Sequence, residues 1–330
     1  MRVLVTGGTG FLGREVLCRL DAAGIDVVNL SRRAAYDPRF GHVEPYAGSI
    51  LSIEDCREAA EDCEVLIHLA GRVSRRRRDA ADVMRLHVDG TRTVLQAAAD
   101  AGVSRIIYLS TSGTIAVSED PEEVKDERAA YPIEVVRQWP YYLSKIYAEQ
   151  EALGFAERHD LPLICLNPTL MLGPGDFDHS STNDIRRFLK GLVPVIPKGG
   201  MSFVDVRDVA DVILNALDRG EGGERYLLGA ENLSTEAFFR RIARMSGRPA
   251  PPIRLPARLT RWSSRLLASL ETLGGTDLPI NDIDLDMGRH GWYLDATKAR
   301  KVLGFSPRPP NDTLRETVED ILRDEAAEED

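Results

Sequence analysis

The chain has 330 residues, 43% hydrophobic and 28% charged, enough for one large α/β domain with an appendage or for two domains, and not the composition of a disordered, fibrous or repeat-built protein. Its 42 Lys and Arg against 52 Asp and Glu leave a formal charge of -10, which argues against nucleic acid as a main partner. The four cysteines, Cys18, Cys56, Cys63 and Cys165, form no C-x-x-C pair and the six histidines are scattered, so neither a disulfide framework nor a metal site is expected, and the cytoplasm is the expected location.

In chain order, residues 2–6 (RVLVT) predict a short buried strand. No charged-then-apolar signal peptide is expected before it, and no apolar run is long enough to span a bilayer. After a glycine-rich turn, a helix is predicted from about Phe11 to Ala23, with Phe11, Leu12, Val16, Leu17 and Leu20 on one stripe. IDVVNL predicts the second strand, a third lies near VEPYAG, and a helix follows through Ile53–Ala60. EVLIHLA (64–70) predicts a fourth strand whose unbroken apolar run fits a sheet covered on both faces.

A helix from about Asp79 to Ala101, the strand SRIIYLSTS, a helix over 141–158 and the strand LPLICLNPT continue the alternation. MSFVDV, a helix over 208–218 and RYLLGA extend it. Repeated strand–helix units predict an α/β, Rossmann-type, doubly wound parallel sheet. The Gly- and Pro-rich 171–200 and the helical, proline-broken 230–320 do not fit that pattern. We therefore expect a dinucleotide-binding domain from 1–170 and 201–229, a smaller, mainly helical substrate domain from 171–200 and 230–320, and a frayed acidic tail at 321–330.

TGGTGFLG sets Gly7, Gly10 and Gly13 between a predicted strand and a predicted helix. Gly7 permits a tight turn, Gly10 clears space for a pyrophosphate, and Gly13 lets the helix pack closely on the sheet, so phosphate oxygens can meet free N–H groups at the helix N-terminus. An acidic residue ending strand two would bind the adenosine ribose; here Ser31 is neutral and Arg32 and Arg33 follow. Paired guanidiniums favour the 2′-phosphate of NADP(H) over NAD(H), although a solvated turn has the same appearance.

In WPYYLSKIYAEQ, Tyr141 and Lys145 lie four apart on one face of a predicted helix. An ammonium beside a phenol lowers its pKa and suits it to proton exchange with a hydroxyl or carbonyl oxygen. Ser112 follows a predicted strand at the edge where α/β sheets place ligands, and can hydrogen-bond the same oxygen. Spacing alone leaves core packing with a snorkelling lysine open.

With these motifs, and with HLAG at 68–71, GTRTVLQAAADAGVSRIIYLSTSG, NPTLMLGPGD and FVDVRDVADVILNAL, nearly the whole chain resembles the extended short-chain dehydrogenase/reductase superfamily, in its NAD-dependent epimerase/dehydratase branch. RYLLGAENLS, the Leu255-Pro256 pair and KARKVLGFSPRP make it most similar to dihydroflavonol-reductase-like proteins and to hopanoid-associated sugar epimerase-like proteins. The resemblance implies that Tyr141 is the general acid/base, that Lys145 binds the nicotinamide ribose and depresses the tyrosine pKa, and that Ser112 polarises the reacting oxygen, with Thr111 as deputy. It implies a cofactor cleft formed also by Thr9, Phe11, Leu12, Ser49, Ile50, Leu69, Ala70, Gly71, Ser110, Asn167 and Pro168. A homodimer through the helices at 80–100 and 141–158 is implied as well.

Two positions depart from the pattern. Gly48-Ser49-Ile50 stands where Gly-Asp is usual, and His87 stands where an asparagine usually bonds a neighbouring strand, bringing titration with it.

For the substrate, one or two of Arg75, Arg76, Arg77 and Arg78, with Arg72 just before them, can clamp a phosphate or carboxylate, or form a plain basic loop. Asn183, Arg186 and Arg187 are further candidates. No set of polar residues marks a nucleotide diphosphate, so an NADP(H)-dependent carbonyl reductase stands slightly ahead of a nucleotide-sugar 4-epimerase or dehydratase with tightly bound NAD(P). A dinucleotide-sensing scaffold without turnover is the third reading, opposed by an intact Ser112, Tyr141 and Lys145. Leu255, Leu259, Trp262, Leu266, Leu270 and Leu273 recur at near-helical spacing; a packed helix is expected there, with contact to a membrane surface or an apolar substrate as the alternative.

Overall fold

The computed structural model describes residues 1–193, 195–250, 253–255 and 282–329. The predicted helix at 255–275, with its membrane alternative, therefore lies outside the described residues beyond Leu255.

The first half alternates strands and helices: β1 (Arg2–Thr6), α1 (Phe11–Ala22), β2 (Asp26–Ser31), β3 (Val43–Ala47), α2 (Ile53–Ala60) and β4 (Val65–His68). Ser52 caps α2 by accepting from the Asp55 N–H, and Glu54 and Asp55 in the first turn complement the helix dipole. The helix predicted over 79–101 is not uniform. A 3-10 turn at Arg77–Asp79 leads into α3 (Ala80–Met84), a π segment at Arg85–Asp89 and α4 (Gly90–Asp100). The π turn carries His87.

Then come β5 (Arg105–Leu109), β6 (Val124–Lys125), α5 (Ile133–Val136), α6 (Pro140–Arg158), β7 (Leu163–Pro168) and β8 (Leu170–Leu172). Pro140 opens α6, where its missing N–H costs nothing. The remaining elements are α7 (Asn183–Leu189), β9 (Val195–Pro197), β10 (Gly200–Asp205), α8 (Val206–Asn215), β11 (Arg225–Leu228), β12 (Glu231–Ser234), α9 (Thr235–Ser246), β13 (Ile253–Leu255), α10 (Asp282–Met287), β14 (Tyr293–Leu294), α11 (Thr297–Val302) and α12 (Pro310–Glu329).

Seven parallel strands form the main sheet in the order β11-β7-β5-β4-β1-β2-β3. This is the doubly wound α/β architecture, with the order reversing between β1 and β4. One face buries Val3, Val5, Val16, Leu20 and Val209 in a core shared with α1 and α8, and the other buries Leu4, Leu66, Val94, Ile106 and Phe155 under α2, α4 and α6.

Two expectations need correction. MSFVDV becomes β10, which leaves the main sheet to pair antiparallel with β12 and parallel with β8. Apolar alternation specifies a strand but not its partner. Residues 321–329 are not a frayed tail: they continue α12, with Ile321 buried and Asp324 paired to Arg186 at 2.7 Å. This also spends Arg186 on structure rather than substrate. Among the described residues, no helix is long and apolar enough to cross a membrane.

Candidate active site

The loops leaving the carboxyl ends of β1, β2, β4 and β5 meet the smaller part across a cleft of about 1520 Å³. It lies where the strand order reverses, the position at which open α/β sheets bind ligands. Every residue expected at the cofactor, catalytic or substrate site lines this cleft except Asn167 and Arg186. Asn167 is fully buried and its amide donates to the Thr111 carbonyl, Thr114 Oγ1 and Glu149 Oε2, so it supports the floor without reaching the cleft.

The glycine turn fits a dinucleotide pyrophosphate. Gly7 has φ +77°, and a Cβ there would sit 2.7 Å from the Ala70 nitrogen; at Gly13 it would sit 2.2 Å from the Gly7 carbonyl oxygen. At Gly10 the nearest atom would be 3.4 Å away, so this side of the cradle is open. Beside it, the Ser31 and Thr9 hydroxyls lie 3.2 Å apart, and the Ser31 oxygen accepts from the Arg33 N–H at 3.3 Å. Arg32 and Arg33 are exposed on the cleft edge, and among the described residues neither guanidinium has a carboxylate partner. Ser49 folds inward instead, its N–H donating to Asp55 and its hydroxyl accepting from Leu51.

Tyr141 and Lys145 come from the first turns of α6, and Ser112 from the turn after β5. Thr111, expected only as deputy, is the residue whose side chain hydrogen-bonds the Tyr141 phenol. The expected depression of the tyrosine pKa is not what the structure gives. Burial pushes the phenol well above its ordinary value, Tyr142 adds to this, and the Thr111 hydrogen bond opposes it. Lys145 reaches elsewhere: its Nζ donates to the Leu109 carbonyl at 2.7 Å and to the Tyr108 hydroxyl at 3.3 Å. Burial lowers the ammonium to about 8 against the opposing influence of Cys165 and Glu149.

His87 does not bond a neighbouring strand. Its Nε2 accepts from the Arg72 N–H at 3.0 Å, so the proton is on Nδ1, which donates to Ser144 Oγ at 2.8 Å. Ser144 donates onward to the Tyr141 carbonyl, and the imidazole meets the Tyr141 ring edge-on at 5.7 Å. Burial, with Lys145, His68 and Arg72 adding, lowers His87 to about 2, so the ring is a neutral brace and the expected titration is suppressed.

Glu149 escaped the sequence reading. It sits four residues beyond Lys145 on the same helix face, fully buried, and accepts from Thr114, Asn167 and Tyr131 at 2.8–3.2 Å and from Ser110. A carboxylate on an otherwise buried helix face was the available signal.

On the substrate side, Arg75 donates to Asp184 at 3.0 Å and Asp284 at 3.1 Å, and Arg187 pairs with Asp284 at 3.4 Å. Burial raises the Asp184 carboxyl and Arg75 beside it more than cancels this, holding it below the ordinary value. The arginine proposed from sequence as an anion clamp is thus half-buried between carboxylates, while Arg76, Arg77 and Arg78 are exposed. Asn183 lines the same wall from the start of α7. Beside this cluster stand aromatic rings: Tyr142 is 5.0 Å from Trp292, which stacks on Trp139 at 5.7 Å.

Comparison with known proteins places this geometry. The sequence model of the NAD dependent epimerase/dehydratase family matches residues 3–229. A Synechocystis protein named for dihydroflavonol 4-reductase is 31% identical over 96% of this chain and 92% of its own. Among solved structures, gox2253 is 28% identical with a TM-score of 0.85, covering 98% of both chains. PA4631, a nucleoside-diphosphate-sugar epimerase from Pseudomonas aeruginosa, is 25% identical with a TM-score of 0.77, again over 98% of both.

Proposed function

Since the chain belongs to the NAD dependent epimerase/dehydratase family and is an enzyme of that NAD(P)-dependent kind, we propose that it works at a secondary alcohol or carbonyl carbon with Tyr141 as the acid/base. A bound nicotinamide supplies or accepts the hydride at its C4. Tyr141, held protonated by burial, is fit to give its proton to a carbonyl oxygen, while Thr111 and Ser112 orient that oxygen and Lys145 keeps a positive charge beneath it. The open cradle at Gly10 receives the pyrophosphate, and the exposed Arg32 and Arg33 beside Ser31, without a carboxylate partner among the described residues, favour the 2′-phosphate of NADP(H).

Two uses of this step differ in their substrate. The family description and the sugar-nucleotide epimerase among the solved structures lend the epimerase/dehydratase reading the broader support from comparison. One observation at the site favours a carbonyl reductase, and we rank it first because substrate chemistry is decided at the site rather than by the fold. The inward Arg75 and Arg187 are matched by Asp184 and Asp284, so these two charges, which could otherwise meet a diphosphate, are already compensated.

The test is to incubate the purified enzyme with NADPH and a panel of neutral ketones and aldehydes, and separately with nucleotide sugars without added cofactor. Oxidation of NADPH by a carbonyl compound, lost in Tyr141→Phe, supports the reductase. Interconversion of nucleotide sugars with no net oxidation, and cofactor retained through purification, establishes the epimerase instead.

A further inference from the structure

The main sheet sets three polar side chains side by side at the carboxyl ends of its central strands. Thr6 on β1 is in register with His68 on β4, and His68 with Tyr108 on β5. All three are at most 1% exposed. They are linked: Thr6 Oγ1 lies 2.6 Å from His68 Nδ1, and His68 Nε2 lies 3.1 Å from Thr91 Oγ1 on α4. Thr91 in turn hydrogen-bonds the Tyr108 hydroxyl. At the end of the row the Tyr108 oxygen meets Lys145 Nζ at 3.3 Å, with the same ammonium 4.9 Å from the centre of the Tyr108 ring.

An ammonium has donors only, so Tyr108 accepts from Lys145. The Thr91 bond lowers the Tyr108 titration, so Thr91 donates to the phenol oxygen, which leaves His68 Nε2–H donating to Thr91 and the Thr6 hydroxyl donating to His68 Nδ1. The phenol oxygen is thus held from two sides, by Lys145 and by Thr91, which fixes its place in a buried setting.

We infer that Tyr108 is a positioning residue for Lys145, accepting from and aiming its ammonium, with its own oxygen held by a row of hydrogen bonds that crosses β5, β4 and β1. The inference deepens the proposed function, in which a charged Lys145 supports Tyr141. The row fixes two donor directions of Nζ, to Tyr108 and the Leu109 carbonyl, and leaves the third for the cleft that Lys145 lines. The other groups facing the ammonium are Cys165 on β7 and Glu149 on its own helix, which favour its charge, and the neutral imidazoles of His68 and His87. Tyr108 and the Leu109 carbonyl are the groups that accept directly from Nζ.

Tyr108→Phe keeps the ring and its packing while removing the oxygen. Loss of one charge-assisted hydrogen bond should lower the lysine's titration, and with it the alkaline limb of the kcat–pH profile, by about one pH unit. Nitrogen NMR of the Lys145 ammonium in the resting protein reads the same shift without turnover. Thr91→Val, which cuts the row one link further away, should move both in the same direction by less, and serves if Tyr108→Phe does not fold. A limb and an ammonium titration unchanged in the folded variants, with only the thermal midpoint lowered, would overturn the inference and leave Tyr108 a packing residue. If the parent enzyme proves inactive on every substrate but the ammonium still shifts, the proposed function fails while the positioning of Lys145 stands.

Discussion

The two sides of the cleft treat charge in opposite ways. On the dinucleotide side, the groups facing outward are backbone N–H donors, hydroxyls and the exposed Arg32 and Arg33, which have no carboxylate partner among the described residues. On the substrate side, Arg75 and Arg187 pair with Asp184 and Asp284, and Tyr142 and Trp292 line the same pocket. A cation contributes to recognition only while it lacks a partner; once matched within the protein, it organises the pocket's shape instead. The exposed Arg32 and Arg33 on one side and the matched Arg75 and Arg187 on the other therefore point to an anionic ligand on the first and a neutral substrate on the second.

The comparison can be tested at several points. The largest expected effect concerns neither wall but the group between them: Tyr141→Phe should lower kcat by about 10²–10⁴-fold with cofactor binding retained, measured by steady-state rates and cofactor titration. An unchanged rate would remove Tyr141 from the chemistry. Next, Arg32→Ala with Arg33→Ala should cut the preference for NADPH over NADH in kcat/KM by roughly tenfold or more, and the loss should shrink at high salt. Equal use of both cofactors by the parent enzyme would show that these guanidiniums are only a solvated turn.

On the other wall, Asp184→Asn should leave Arg75 under-compensated. Because Arg75 is about a third exposed, the stability cost should be modest, about 1–2 kcal/mol by denaturant unfolding after allowance for solvent screening. The same change should tighten binding of carbonyl compounds that carry a carboxylate, roughly 5–10-fold in inhibition assays. No gain for anionic ligands would mean that compensation does not set the substrate's charge.

A last effect is on the pH dependence of stability. His68 and His87 are held at about 3 and about 2 in the folded state, against an ordinary value of 6.5. Below that ordinary value the unfolded chain takes up protons that the folded chain refuses. Stability is therefore complete above pH 6.5 and falls as pH drops, by about 1.4 kcal/mol per unit for each histidine. His87→Asn should shallow that slope in pH-dependent unfolding; an identical slope would mean that the ring is protonated in the native protein.

Much of the dinucleotide side was legible in the sequence because its chemistry is local. Gly7, Gly10 and Gly13 act within a few residues of one another, and Tyr141 and Lys145 share a helix face because of a four-residue spacing. The substrate side was not legible, since Arg75 finds its partners 109 and 209 positions away. Asp184 and Asp284 carried no signal beyond being acidic. His87 shows a middle case: the unusual residue was visible, but its partners Arg72 and Ser144, and hence its neutrality, depend on how the π turn packs against α6.

The sequence by itself determined the strand–helix alternation, the phosphate-binding turn and the tyrosine–lysine pair, because apolar periodicity and glycine act through nearest neighbours along the chain. Only the tertiary structure decided which sheet β10 joins, how Arg75 is paired, and that Thr6, His68 and Tyr108 stand in one row beneath Lys145. Strand register and ion pairing arise between segments distant in sequence, and burial then sets how strongly each hydrogen bond and charge is felt.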